Sequence, residues 1–222
     1  MKYKTILWDI DGTLLNFEMS EKISMEKCLE KHGVSMTEAQ FEEYKKINKE
    51  CWKMIEKDHS RRNELMVKRF VDFFTLLNVS IDGVQFNKDY QEALGTYYCL
   101  NEFALDVILA LKPHCKQYAA SNGSKVAQLK GTGLYDLFDD IFISEDVGYE
   151  KPDLTYFNYI KEKTHYDPDT TIIIGDSLTS DIKGGENAGI DTCYFNPEHQ
   201  KNTSQAVTYE IDKLIEVLDI VK

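Results

Sequence analysis

Short apolar runs, each stopped by polar or turn-forming residues, recur along the chain. Thr5-Ile6-Leu7-Trp8 is the first; Gln117-Tyr118-Ala119-Ala120, Ile141-Phe142-Ile143, Thr171-Ile172-Ile173-Ile174 and Thr192-Cys193-Tyr194-Phe195 follow. Helical patterns separate most of them. Near-continuous apolar strands alternating with helices predict a parallel sheet covered on both faces. The expected fold class is therefore α/β, doubly wound. Near the C-terminus Ile211, Leu214, Ile215, Leu218 and Val221 recur at three- and four-residue steps, which predicts a last helix with one apolar stripe against the sheet.

Residues 17–100 read differently. They contain no convincing strand, and helix formers dominate 21–31, 38–57, 62–77 and 87–99. Turn signals divide these pieces at Lys31-His32-Gly33, Asp58-His59-Ser60 and Ile81-Asp82-Gly83. The expected organisation is a core domain of residues 1–16 and 101–222, with 17–100 inserted as a helical bundle.

Composition narrows the function classes. A chain of 222 residues, 42% hydrophobic and 29% charged, is ordinary for a folded protein of one core plus an insertion. No apolar run approaches the roughly 18 residues that a bilayer requires. Met1-Lys2-Tyr3-Lys4 leads straight into a strand-like run without a signal-peptide pattern, so the expected location is cytoplasmic, with no membrane partner. Cys28, Cys51, Cys99, Cys115 and Cys193 are scattered and form no C-x-x-C pair, which fits buried reduced thiols. Three Asn-x-Ser triplets begin at Asn78, Asn122 and Asn202, and without a secretion signal they carry no meaning. The net charge of −12 argues against a nucleic-acid polymer as partner. It leaves room for a small phosphorylated metabolite, because one divalent cation can reverse the field inside a pocket.

Polar signals stand at the ends of the predicted strands, where ligands bind in open α/β sheets. Asp9-Ile10-Asp11-Gly12-Thr13 follows the first strand. Two carboxylates two residues apart can converge if the chain turns, and Gly12 permits the turn. One could act as nucleophile while the other moves a proton. A solvated turn or a calcium loop would use similar letters, but Ser20 stands where an EF-hand needs glutamate. Ser121-Asn122-Gly123 could cradle a phosphate, although alone it reads as an ordinary cap and turn. Lys151-Pro152 suits the start of a helix near Asp153, with the lysine available to phosphate charge. Gly175-Asp176-Ser177-Leu178 and Ser180-Asp181 follow the Thr171 strand, and paired acids there suit magnesium. G-D-S-L also occurs in serine hydrolases, but no D-x-x-H follows Ser177.

In order and spacing these four motifs resemble those of the haloacid dehalogenase-like phosphatase superfamily, over essentially the whole chain. The resemblance implies a Rossmann-like core with a helical cap between the first and second motifs. It implies Asp9 as the nucleophile and Asp11 as general acid and base. Mg2+ is expected on the Asp9 carboxylate, the Asp11 backbone carbonyl and Asp176, with Asp181 supporting its waters. Ser121, Asn122 and Lys151 are expected to bind the substrate's phosphoryl group. Cap aromatics, including Phe17, Phe41, Tyr44, Trp52, Phe73 and Phe74, are candidates for a base-stacking face, most of them expected in the cap core.

Within the superfamily the chain is similar to pyrimidine 5′-nucleotidases, on Trp52, Arg69-Phe70, Ser144-Glu145-Asp146-Val147-Gly148 and 189–197. A nucleoside monophosphate is the implied substrate. The chain departs from that branch at Ser121, commonly threonine; at Gln128-Leu129-Lys130, where arginine is expected; and at Tyr149-Glu150. Rival readings keep the chemistry on phosphoglycolate or a sugar phosphate, or make the protein a phosphomutase. A dehalogenase is disfavoured, because Asp11 supplies the proton shuttle that ester hydrolysis needs. A silent binding protein of the same fold is disfavoured because Asp9, Asp11, Lys151 and Asp176 all stand.

Overall fold

The computed structural model describes residues 1–123, 126–201 and 206–222, with the backbone alone at 56, 59 and 126–128. Ser124 of the second Asn-x-Ser triplet, the whole third triplet and the Gln128 side chain lie outside that description. Two compact units divide the chain: Met1–Glu18 with Tyr98–Lys222, and Met19–Tyr97.

The first unit is built on six parallel strands: β1 (Thr5–Trp8), β2 (Lys116–Ser121), β3 (Asp140–Ile143), β4 (Thr171–Gly175), β5 (Asp191–Phe195) and β6 (Tyr209–Ile211). Their order across the sheet is β3-β2-β1-β4-β5-β6, with every neighbouring pair parallel. The chain winds outward from β1 to β3 and then crosses to the other side at β4. That reversal opens a crevice beyond the carboxyl ends of β1 and β4. This is the doubly wound α/β fold that the apolar runs predict.

Alternation along each strand feeds two cores. Ile6 and Trp8 pack with Ile172 and Ile174 toward the side covered by α5 (Ala104–Leu111) and α10 (Val217–Val221). Leu7 and Ile173 point the other way, onto Tyr156, Phe157 and Ile160 of α8 (Leu154–Thr164). Gln117 occupies a fully buried strand position because its amide is engaged at both ends: it accepts from Trp8 Nε1 at 2.9 Å and donates to the Ile108 carbonyl at 2.9 Å. Shorter helices α6 (Val126–Thr132), α7 (Ser144–Val147) and α9 (Lys183–Ala188) complete this unit.

The C-terminal expectation needs correction. Ile211 belongs to strand β6, and helical structure begins only at Leu214. Ile211 and Leu214 still pack into the same core, so one apolar stripe serves a strand and then a helix.

The second unit consists of α1 (Phe17–Glu30, which begins in the first unit), α2 (Glu38–Lys57), α3 (Arg62–Leu77) and α4 (Gly83–Leu94). Thr37 and Gln40 form a capping box on α2, and Asp82 caps α4 by accepting from the backbone N–H of Val84 and Gln85. Phe41, Tyr44, Phe70, Phe73, Phe74, Phe86 and Tyr90 are buried as one aromatic core. Of the six aromatics proposed for stacking, Phe17 and Trp52 alone keep partial exposure, and the Trp52 ring carries the Arg62 guanidinium 4.9 Å from its centre. Cys28, Cys51, Cys115 and Cys193 are buried free thiols, and Cys99 is half-buried. No helix among the described residues is long and apolar enough to cross a membrane.

Candidate active site

Backbone hydrogen bonding carries Asp9 one step past β1, where its N–H donates to the Ile174 carbonyl at 2.9 Å. The side chain is then buried among fixed donors. Asp9 Oδ1 accepts from Lys151 Nζ at 2.7 Å, and Oδ2 accepts from Thr13 Oγ1 at 3.1 Å. Asp11 follows on a tight turn, half-buried, its backbone bridged to Leu15. Gly12 takes φ of 94°, a left-handed conformation that side chains disfavour. A Cβ there would also collide with the Asp176 carboxylate, so Gly12 both turns the chain and makes room.

Asp176 and Asp181 arrive from the end of β4. A single π-helical turn, Leu178–Ile182, folds Asp181 back against Gly175, where any Cβ would strike its carboxylate. Asp181 Oδ2 accepts the Ser177 backbone N–H at 3.1 Å, and Oδ1 accepts from Lys151 Nζ at 2.6 Å. The third bond of the Lys151 ammonium goes to the Ala120 carbonyl at 2.6 Å. Its three donors therefore hold Asp9, Asp181 and the end of β2 together.

Lys151 is 1% exposed. Burial alone would lower its pKa, but Asp181 and Asp9 outweigh that and raise it, so the ammonium stays charged. One carboxylate oxygen from each of Asp9, Asp176 and Asp181 lies within 4.8 Å of the others. Burial and then the charge of Asp9 push Asp181 up to about 7, against the pull of Lys151. Asp176 is open to solvent on one side and crowded by protein on the other. That crowding, followed by the charges of Asp9 and Asp181, drives its carboxyl well above the usual aspartate range.

Ser121 closes β2, buried, its Oγ accepting the Gly123 backbone N–H at 3.1 Å. The proline expectation needs adjustment. The Lys151–Pro152 bond is cis, Asp153 is the N-cap of α8 and accepts from the Thr155 backbone N–H at 2.8 Å, and Lys151 lies before the helix.

Sequence reasoning gave three of these groups no role. Thr13 orients Asp9 and also approaches Asp176 Oδ1 at 3.5 Å. Its place in the first motif was the available signal. Asn101 Nδ2 donates to the carbonyls of Gly12 and Thr13 at 3.2 and 2.8 Å, bracing the aspartate turn, and no local pattern marks it. The Ala120 carbonyl is a backbone group that residue identity cannot reveal.

Buried carboxylates around one ammonium, at the switch point of a doubly wound sheet, agree with what the chain matches. The family model of haloacid dehalogenase-like hydrolases aligns with residues 3–189. This chain belongs to that family. This haloacid dehalogenase-like hydrolase has relatives matched over nearly full length. The Bacillus subtilis HAD-hydrolase YfnB is 36% identical over 99% of this chain and 95% of its own. A crystal structure of YfnB bound to magnesium matches with a TM-score of 0.94 at 35% identity, covering 100% of both chains. The pyrimidine 5′-nucleotidase PynA of Streptococcus pneumoniae is 36% identical over 99% of this chain and 95% of its own. The pyrimidine 5′-nucleotidase YjjG of Escherichia coli is 29% identical, with 98% and 97% covered.

Proposed function

We propose that this hydrolase is a magnesium-dependent phosphatase that cleaves pyrimidine nucleoside 5′-monophosphates through an aspartyl-phosphate on Asp9. The observation that carries the reading is the cluster of Asp9, Asp176 and Asp181 oxygens within 4.8 Å, with the Lys151 ammonium bonded to two of the three residues. Carboxylates so close repel one another, and that repulsion adds to burial, the larger cause, in raising Asp176 and Asp181. An all-oxygen donor set suits a hard divalent cation. Asp9, the Asp11 backbone carbonyl and Asp176 would hold it, with Asp181 beside them. When bound, magnesium supplies positive charge for the phosphoryl oxygens and neutralises the carboxylates.

The chain's own residues account for the remaining chemistry. Lys151 and Thr13 hold the two oxygens of Asp9, so the nucleophile meets phosphorus in one orientation. An Asp9 oxygen attacks, the P–O bond to the leaving alcohol breaks, and Asp11 gives that alcohol its proton. Asp9 loses its negative charge as it is esterified, its bond to Lys151 weakens, and the ammonium turns to the phosphoryl oxygens. Ser121 binds the same oxygens. Water then attacks phosphorus while Asp11, now a carboxylate, takes its proton, and inorganic phosphate leaves with Asp9 restored.

The substrate assignment is supported by the names of PynA and YjjG and by their near full-length match. The helical unit is assigned the leaving group, as the family resemblance implies. A panel of phosphate esters with magnesium tests the reading. Pyrimidine nucleoside monophosphates should give higher kcat/KM than phosphoglycolate or hexose phosphates, and EDTA should abolish turnover. The opposite ranking would reassign the substrate, and full activity in metal-free protein would remove the ion from the reaction.

A further inference from the structure

The sequence motif points the Asn122 side chain at the substrate, but its contacts point elsewhere. Asn122 Oδ1 accepts the backbone N–H of Lys151 at 2.8 Å, and Asn122 Nδ2 donates to the backbone carbonyl of the same Lys151 at 2.8 Å. This is the two-bond exchange of a hydrogen-bonded pair in an antiparallel ladder, made here by one side-chain amide across 29 positions of chain. The amide is itself anchored, because the Asn122 carbonyl accepts from Ser144 Oγ at 3.0 Å and Ser144 is fully buried.

Peptide planes are rigid, so φ and ψ are the soft torsions of a residue, and both lie between its N–H and its C=O. Fixing those two groups of Lys151 fixes the direction in which its side chain leaves the backbone. The ammonium must then meet Asp9, Asp181 and the Ala120 carbonyl, all at 2.6 to 2.7 Å. A lysine spans ~6 Å from Cα to Nζ, so a backbone rotation of about 10° moves the ammonium by ~1 Å. Misplacement of that size at a reacting centre costs ~10²-fold in rate.

We infer that Asn122 is a positioning residue: its side-chain amide sets the Lys151 backbone and so aims the ammonium at Asp9 and the phosphoryl group. The inference rests on the role proposed above for Lys151. It assigns no substrate contact to the Asn122 side chain.

The test is a double-mutant cycle on an activated aryl phosphate with magnesium, using Asn122→Ala, Lys151→Ala and the double variant. Asn122→Ala should lower kcat by ~10²-fold with little change in KM, since the transferred charge and not ground-state binding is what Lys151 serves. Adding it to Lys151→Ala should cost no more than about twofold, because the residue it acts through is gone. Asn122→Leu keeps the volume and replaces the alanine variant in the cycle if that one does not fold. An equal loss in both backgrounds, or a rise in KM with kcat preserved, would overturn the inference and return Asn122 to the substrate. Wild-type turnover in Lys151→Ala would instead break the underlying reading of the site, whatever Asn122 does.

Discussion

Each of the two units buries a set of polar side chains, and the two sets differ in their charge balance. In the helical unit, Glu21, Asn48, Arg69 and Tyr90 come one from each of α1 to α4. Glu21 Oε1 accepts from Asn48 Nδ2 at 2.9 Å and from the Tyr90 hydroxyl at 3.1 Å. Asn48 Oδ1 in turn accepts from Arg69 Nη1 at 2.6 Å, and the guanidinium lies over the Phe70 and Tyr90 rings. One carboxylate is matched by one guanidinium through neutral groups. At the head of the sheet, two buried carboxylates, Asp9 and Asp181, share one ammonium, and the exposed Asp176 carboxylate lies beside them. A balanced buried network holds elements in register, whereas an unbalanced one stores repulsion that a cation relieves. Burial of charge does not by itself mark a functional site; uncompensated charge is the better sign.

The largest effects should come from the unbalanced set. Asp9→Asn removes the nucleophile while keeping its shape, so turnover on nucleotides and aryl phosphates alike should fall by at least ~10⁴-fold, and no phospho-enzyme should appear by mass spectrometry after rapid quench. Asp11→Asn keeps the nucleophile. It should lose ~10²–10⁴-fold on nucleotides, whose leaving group needs a proton, and clearly less on aryl phosphates. Equal inactivity of both variants on every ester would leave the division of roles without support.

The balanced set should respond in stability and not in chemistry. Arg69→Met leaves the Glu21 charge buried without its cation, at a cost of about 3–5 kcal/mol in urea unfolding. Turnover of an aryl phosphate, measured well below the unfolding transition, should stay near the parent value. Adding Glu21→Gln should recover part of the lost stability, since the stranded charge goes with it. A stable but inactive Arg69→Met would erase the distinction between the two sets.

The smallest effect concerns pH. In the metal-free protein Asp181 is pushed up from 3.8 to about 7, and Asp176 is raised as well. A carboxyl raised on folding contributes stability that is present below pH 3.8 and lost as pH climbs through about 7. At pH 5 the cluster therefore holds protons that magnesium must displace, whereas at pH 8 bare carboxylates repel until the ion binds. Magnesium should raise Tm more at pH 8 than at pH 5, by about 2–4 °C for each kcal/mol of binding. An equal shift at both values would show that the ion binds away from these carboxylates.

Much of this protein is legible in its residues taken alone. Five buried strands announce themselves as apolar runs, because a sheet covered on both faces admits little else. Asp9, Ser121 and Asp176 stand where those runs stop, so strand order and the switch point bring them together once the sheet forms. The sixth strand was hidden. Its three residues are too short for a period, and Ile211 continues the apolar spacing of the helix after it. Tertiary structure alone decided what steadies the chemistry. Asn101 reaches back 88 positions to the Thr13 carbonyl, and Asn122 crosses 29 to Lys151. Asparagine is common in turns for local reasons, so its identity says nothing about a distant backbone group. Which carbonyl or N–H an amide meets is fixed only when the strands have brought their ends side by side.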